Sequence, residues 1–508
     1  PTLVTKAAME EVEHMFNGEE SSSEEDDSET DDDDVRYPLP AHRMPVHDDE
    51  NIGLQPKQPQ SDRRPLGATP QRVTSGSDEA GEARAPFQPL TPITERTERT
   101  DSSRWTLDVP SEDAMPYGGL RAPPTSLAIP NPCSPADPDI VSTLLSNLAR
   151  PVTQLPGYVD EAHESQYLST LRARLDARSR RSSVGNGCDV QVADMQLSVY
   201  SRLGEGGFGS VFLAQDMNES VPLAGQVTAS YADVDQDDID ELERRQMLAL
   251  KIESPPNPWE FYILDQLRHR LPDQLQASIV GARRFVSCAN ESLLLLEYAS
   301  MGTLLELVNH AAEAGVSSVL GQGGGVEEVL AMFFVNELCR IVQGMHEAGL
   351  IHGDLKIDNC MIRADDVDEW TSTYAADGSG GWAAKGVTLI DFGRAIDMCC
   401  YPPDQRFLAD WQPGAQDCVE MREMRPWTYQ ADYYGLASIA HCLLFGKYMD
   451  TTCYVNDDGL KTYKIQQSLR RYWQTDLWTR FFHLMLNSTH YPAVGPQLTE
   501  LRLSLINI

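Results

Sequence analysis

His352-Gly353-Asp354-Leu355-Lys356-Ile357-Asp358-Asn359 sets a carboxylate, a lysine and an amide within six residues, and Asp391-Phe392-Gly393 brings a second carboxylate about 30 residues later. That set suits a reaction in which one acid handles a hydroxyl proton and a lysine neutralises phosphate. An asparagine and the second acid would hold a divalent cation. Either string alone is short enough to arise by chance. Both together, in this order, point to phosphoryl transfer.

Upstream, Gly204-Glu205-Gly206-Gly207-Phe208-Gly209-Ser210-Val211 fits G-x-G-x-x-G-x-V. Without a Cβ, Gly204, Gly206 and Gly209 let backbone approach phosphate. A dinucleotide-binding turn would need a helix directly after the loop. Here Val211-Phe212-Leu213-Ala214 reads as a strand, so the loop joins two strands, as in protein kinases. Met247-Leu248-Ala249-Leu250-Lys251 matches the apolar strand whose lysine holds the α- and β-phosphates, and Glu260, nine residues on, is its expected partner. Asn257-Pro258 marks the start of the helix that carries Glu260. The run Leu293 to Leu296 leads into Glu297-Tyr298-Ala299, read as the hinge beside adenine, with Val211 and Ala249 in the same pocket. Leu296 as gatekeeper and Met361 as pocket floor fit that site, and fit plain core packing equally well.

The expected roles follow. Asp354 orients the substrate hydroxyl, Lys356 neutralises the transferred group, and Asn359 and Asp391 bind magnesium on ATP. His346 and His352 have no third ligand at zinc spacing, so His352 is expected to support the loop. Gly353 stands where kinases with His-Arg-Asp carry the arginine that receives an activation phosphate, so the activation segment is expected to be held by packing. Cys418-Val419-Glu420 replaces A-P-E and keeps only the glutamate. Asp432 is expected as a buried acid that holds the catalytic-loop backbone. The expected fold is α+β: a bilobal protein-kinase fold with a small β-rich lobe and a large helical lobe, preceded by a long disordered region.

These departures, with Asn257-Pro258-Trp259-Glu260-Phe261-Tyr262-Ile263, Cys418-Val419-Glu420-Met421 and Pro426-Trp427, resemble the Bub family (budding uninhibited by benzimidazole) of mitotic spindle-checkpoint kinases. Asn131-Pro132-Cys133 through Leu155-Pro156-Gly157-Tyr158 is similar to that family's N-terminal extension. Residues 1–17, from Pro1-Thr2-Leu3-Val4 to Met15-Phe16, resemble its short checkpoint motif. The resemblance implies a serine/threonine kinase that phosphorylates the histone 2A tail at kinetochores and centromeres. It also implies that phosphorylated Thr2 recruits the mitotic-arrest-deficient coiled-coil protein. The family's helical-repeat module and β-propeller-binding motif, which engage other kinetochore proteins, would lie before Pro1. One member of that family has decayed catalytic residues, so a pseudokinase scaffold is the alternative. The intact Lys251, Glu260, Asp354, Lys356, Asn359 and Asp391 favour catalysis.

Composition divides the chain further. Of 508 residues, 41 are Lys or Arg and 77 are Asp or Glu, a formal net charge of −36. This makes direct DNA recognition a poor fit and a basic histone tail a good one. Residues 18–130 are polar and rich in Pro, Ser and acids, the signature of disorder. The acidic run at 19–34 reads either as a solvated spacer or as a tether for a basic partner. Thr91-Pro92, Thr69-Pro70 and Ser134-Pro135 suit a proline-directed kinase, Thr91 best. Residues 131–196, with Ile140, Leu144, Leu145 and Leu148, are expected to pack on a kinase domain spanning 197–508. Polar inserts at 218–246, 321–325 and 364–386 are expected as surface variation. The ten cysteines have no C-x-x-C pair, which fits a reduced nuclear protein, with the cytoplasm also open. No apolar run is long enough for a membrane span.

Overall fold

A computed structural model describes residues 129–179, 187–206, 209–218, 247–318, 324–367 and 369–506. The expectations for residues 1–17 with Thr2, for the run at 19–34, for Thr69 and Thr91, and for the insert after Asn218 lie outside these residues.

The first described elements are helix α1 (Pro138–Ser146), strand β1 (Tyr158–Asp160) and helix α2 (Tyr167–Ser179). Then come β2 (Cys188–Val192), β3 (Met195–Glu205), β4 (Gly209–Asp216) and β5 (Met247–Glu253). Helix α3 (Trp259–Arg270) and the short α4 (Asp273–Gln276) precede β6 (Ala282–Ser287) and β7 (Ser292–Glu297). The seven strands form one sheet in the order β1-β6-β7-β5-β4-β3-β2.

Strand alternation gives this sheet two different faces. On β5, Leu248, Leu250 and Ile252 are buried on one side, while Ala249, Lys251 and Glu253 point to the other. Register sets Val211 opposite Lys251, Leu213 opposite Ala249, and Ala249 opposite Leu296. On the face opposite Lys251, Phe212, Leu250, Val286 and Leu295 pack with Leu171 of α2, which is fully buried. Residues before the expected boundary at 196/197 therefore build part of the sheet. β1 pairs parallel with β6, β2 pairs antiparallel with β3, and β3 itself starts at Met195.

The second half contains α5 (Leu304–His310), α6 (Glu328–Glu347), β8 (Leu350–Ile351), β9 (Cys360–Ala364), β10 (Lys385–Leu389) and β11 (Ile396–Asp397). It continues with α7 (Val419–Arg422), α8 (Gln430–Phe445), β12 (Thr451–Val455), β13 (Lys461–Ile465), α9 (Thr475–Leu486) and α10 (Gly495–Ile506). Thr303 and Glu306 close a reciprocal capping box at the start of α5. In α6, Leu330, Phe334, Leu338, Ile341, Val342 and Met345 recur at helical spacing and are buried. Helix α8 is buried almost all round and stops at Gly446, whose φ of +65° suits a glycine cap. The main core runs through these helices and also takes in Leu144 of α1, 1% exposed. None of the described helices is long and apolar enough to cross a membrane.

One expectation needs correction. The stretch at 364–386 is not merely surface variation. Trp382 is buried and meets Trp370, Tyr374 and Phe333, and the Tyr374 hydroxyl donates to Glu337 of α6 at 2.6 Å. Its polar composition masked an aromatic anchor.

Candidate active site

The strand lysine and the helix acid meet. Lys251 Nζ lies 2.7 Å from Glu260 Oε2 and 2.8 Å from Asp391 Oδ1, with Glu253 at 3.6 Å. Glu260, in the first turn of α3, is fully buried, and its other oxygen accepts from the Phe392 backbone N–H at 3.0 Å. Asn257 caps that turn by accepting from Trp259 N at 3.2 Å. Burial works against the Lys251 charge, yet Glu260, Asp391 and Glu253 raise its pKa well above the ordinary lysine value. The Lys251 ammonium lowers the Asp391 carboxyl to about 2. Burial raises Glu253 to about 7 against the pull of Lys251. Asp391 sits at φ +64°, a left-handed conformation uncommon for a residue with a side chain and typical of a functional constraint.

The catalytic loop hangs from Asp432 on α8. Its buried carboxylate accepts from His352 N at 2.8 Å and Gly353 N at 2.9 Å, and bonds His346 Nε2 at 2.9 Å. Burial raises its pKa, but the His346 bond and the nearby imidazoles outweigh that and lower it. This is the role expected for Asp432. His352 also behaves as expected: its Nδ1 accepts from Asp354 N at 3.3 Å, which leaves Nε2 to donate to Ile390 O at 3.1 Å. Gly353 has φ +77°, and a Cβ there would collide with the Arg394 carbonyl oxygen. Glycine therefore fits this corner where a larger residue would strain it.

Lys356 Nζ reaches Asp354 Oδ2 at 3.1 Å. Burial lowers the Lys356 pKa, and Asp354 more than compensates, so the net direction is up. Asn359 donates from Nδ2 to Asp354 O at 2.9 Å, and Ile390 N donates to Asn359 O at 3.1 Å. These bonds, with the β9–β10 pairing of Cys360 and Leu389, draw Asn359 and Asp391 together. Among the described residues no cluster of three or more His, Cys, Asp or Glu could hold a metal ion by itself. Two oxygen-bearing side chains, completed by phosphates and water, are what magnesium commonly accepts.

In the glycine-rich loop, Gly206 N donates to Gly209 O at 3.0 Å. Gly204 and Gly206 have open space where a Cβ would stand, while a Cβ on Gly209 would collide with Ile252 O. Two glycines thus leave room for phosphate and the third lets β4 close on β5. Gly207 and Phe208 lie outside the described residues. Leu296 is 6% exposed and Met361 is half-buried, bridging Thr303. Glu297 is exposed with its N–H bonded to Gly281 O at 2.9 Å, and Ala299 is half-buried.

Sequence reasoning missed four side chains. Glu253 was legible, because two residues past Lys251 on a strand is the same face. Asp397 and Arg270 belong to no motif, and only the fold sets them together, at 2.8 Å. Arg172 of α2 binds Ser210 Oγ at 2.9 Å and Glu205 at 3.0 Å, at the edge of the glycine-rich loop.

Residues 197–487 match the protein kinase domain. The chain belongs to the protein kinase family. Its homologues are spindle-checkpoint kinases. It is 37% identical over 357 residues to the spindle assembly checkpoint serine/threonine-protein kinase bub1 of Schizosaccharomyces pombe, covering 68% of this chain and 33% of that protein. It is 33% identical over 377 residues to BUB1 of Saccharomyces cerevisiae, covering 74% and 34%. The chain thus spans about a third of the length of these relatives. A crystal structure of the BubR1 kinase domain superposes with a TM-score of 0.55 at 25% identity, covering 74% of this chain and 95% of that one. The kinase domain implies use of ATP and a divalent metal.

Proposed function

We propose that this chain is the catalytic portion of a spindle-checkpoint serine/threonine kinase that transfers the γ-phosphoryl group of ATP, as its magnesium complex, to the histone 2A tail. The observation that carries this reading is the joined Lys251–Glu260 and Lys251–Asp391 contacts at 2.7 and 2.8 Å, beside a catalytic loop fastened by Asp432. Lys251 would grip the α- and β-phosphates. Asp354 would orient the attacking hydroxyl, and Lys356 beside it would offset charge on the transferred group. Asn359 and Asp391 would hold magnesium, which neutralises phosphate oxygens when bound. Position and electrostatics supply the rate, with no covalent intermediate on the protein.

The acidic chain, at net charge −36, suits a basic histone tail and argues against DNA recognition. The reading places the protein in the nucleus and at kinetochores and centromeres in mitosis. Residues 1–17 with Thr2 would recruit the mitotic-arrest-deficient coiled-coil protein, and Thr91 would be a further phosphosite. Other kinetochore proteins would engage the part of the relatives that this chain does not span.

The test uses radiolabelled ATP with nucleosomes. The chain should label histone 2A, while Asp354→Asn, Asp391→Asn and Lys251→Arg should each lose at least about a hundredfold, roughly 2.7 kcal/mol, while remaining folded by circular dichroism. Labelling that persists in these variants, or is absent from the unaltered chain, would favour a scaffold.

A further inference from the structure

Glu260 can hold Lys251 only while α3 stays docked, which raises the question of what docks it. In many kinases that task falls to a phosphate on the activation segment, received by the catalytic-loop arginine. Here Gly353 removes the arginine. The acceptor is missing as well: from Asp391 to Trp427 the sequence contains no serine and no threonine. The single tyrosine in that stretch, Tyr401, is 1% exposed.

In place of a phosphate, the segment presents a buried carboxylate. Asp397 is 0% exposed and sits on β11, opposite Leu350 of β8 just before the catalytic loop. Arg270, at the end of α3, forks onto it, with Nη1 to Oδ1 and Nη2 to Oδ2 both at 2.8 Å. Tyr262, two residues after Glu260, donates its hydroxyl to Oδ2 at 2.8 Å. Cys399 N donates to Oδ1 at 3.0 Å, and the Cys400 thiol lies 3.6 Å from Oδ2. The fork is held in turn by Gln266 Oε1, which accepts from Arg270 Nη2 at 2.7 Å. Trp259 adds a parallel tie, donating from its indole to Ala395 O at 2.7 Å. Burial opposes the Arg270 charge, but its bonds to Asp397 hold the guanidinium pKa above the ordinary arginine value.

We propose that Asp397 is a positioning residue, an encoded anion that clasps Arg270 and Tyr262 and keeps α3 where Glu260 meets Lys251, in the role other kinases give to an added phosphate. The proposal rests on the reading of the chain as a phosphotransferase. Its physics is that of a buried bidentate pair: geometry is fixed by two parallel bonds, and loss of one partner leaves an uncompensated charge. Because the anion is part of the sequence, the clasp is closed without any modifying enzyme. The ties to Tyr262 and Arg270 are eight residues apart, about 12 Å along the helix axis, so they fix the tilt of α3 as well as its contact.

The experiment compares the full chain with Asp397→Asn, Tyr262→Phe and Arg270→Lys. It measures ATP kcat and KM together with backbone hydrogen exchange. Asp397→Asn should lower kcat by at least about tenfold while KM for ATP stays within about threefold, and exchange should quicken in α3 and in 391–400 but not in α8 or α9. Arg270→Lys keeps the charge and loses the fork, so it should fall between. A kcat within twofold of the unaltered chain, a change confined to KM, or unchanged α3 exchange would each overturn the proposal. If Asp397→Asn loses protection throughout α8 and α9, the two milder variants decide, and unchanged α3 exchange in both overturns it. A parent chain with no phosphotransfer would defeat the kinase reading alone, because the exchange comparison still decides the clasp.

Discussion

Among the described residues, three carboxylates lie within 4 Å of the Lys251 ammonium, at 2.7 Å for Glu260, 2.8 Å for Asp391 and 3.6 Å for Glu253. Two of them belong to the kinase pattern; Glu253 does not. Burial raises its pKa from 4.5 to about 7, so the folded protein keeps a proton that the unfolded chain has already released. The sign follows. The stabilisation is complete below pH 4.5, falls as pH rises toward about 7, and is gone above that, with a slope of at most about 1.4 kcal/mol per pH unit. Glu253→Gln, which mimics the protonated acid, should match the parent at low pH and exceed it in urea stability at pH 8. Denaturation curves that stay parallel from pH 5 to pH 8 would reject this. Sequence motifs of fixed spacing singled out Lys251, Glu260, Asp354, Asn359 and Asp391, and the structure joins Lys251 to Glu260 and Asp391 and Asn359 to the Asp354 carbonyl. Asp397 was not readable, because an aspartate six residues past Asp391 means nothing until folding sets it against Arg270.

At the scale of elements, the long alternating strands and the apolar helices α6 and α8 were legible, and the segment before them was legible only in part. β1 is three residues long, too short to show a period, and its place in the sheet depends on parallel pairing with β6. Helix α2 has an apolar set, including Leu168, Leu171 and Leu175, that meets the sheet face opposite Lys251. From there Arg172 reaches Ser210 and Glu205. Arg172→Ala should therefore loosen the glycine-rich loop and raise KM for ATP by about three- to tenfold, with the melting temperature within about 2 °C. An unchanged KM would reduce Arg172 to a surface contact. Residues 130–134 act at another point. Leu408 N donates to Cys133 O at 2.9 Å, Arg406 N to Asn131 Oδ1 at 3.0 Å, and Gln405 Nε2 to Pro130 O at 2.9 Å. Removing residues 1–136 deletes this strap and spares α1 with its Asp137 N-cap, and should cut activity by about fivefold or more with little change in melting temperature. Removing 1–160 also takes away β1 and buried Leu144, and should lower the melting temperature by at least about 5 °C. Equal behaviour of the two truncations would show that the strap and α1 act as one unit.

For the whole molecule, the bilobal α+β arrangement followed from the order of motifs, since a glycine loop between strands and a catalytic loop after a long apolar helix leave few other layouts. The means of holding the activation segment could be named from sequence only as packing. The structure gives its parts. Phe407 is fully buried and exchanges two backbone bonds of 3.0 Å with Trp427, Tyr401 meets Phe407 edge-on at 5.2 Å, and Tyr434 donates to Ala415 O at 2.9 Å. Arg394 lies over the Trp411 ring at 4.9 Å, and Trp411 in turn bonds Asp417. Thr428, the first hydroxyl-bearing serine or threonine after Asp391, bonds Gln430 at the start of α8. With no acceptor inside the segment and no arginine at Gly353, activity should not depend on phosphate there. Exhaustive phosphatase treatment of the purified chain should leave its rate on nucleosomes within about twofold. A loss beyond about tenfold, roughly 1.4 kcal/mol, would place a required phosphate outside 391–427, and Thr428→Ala would be the next variant to assay.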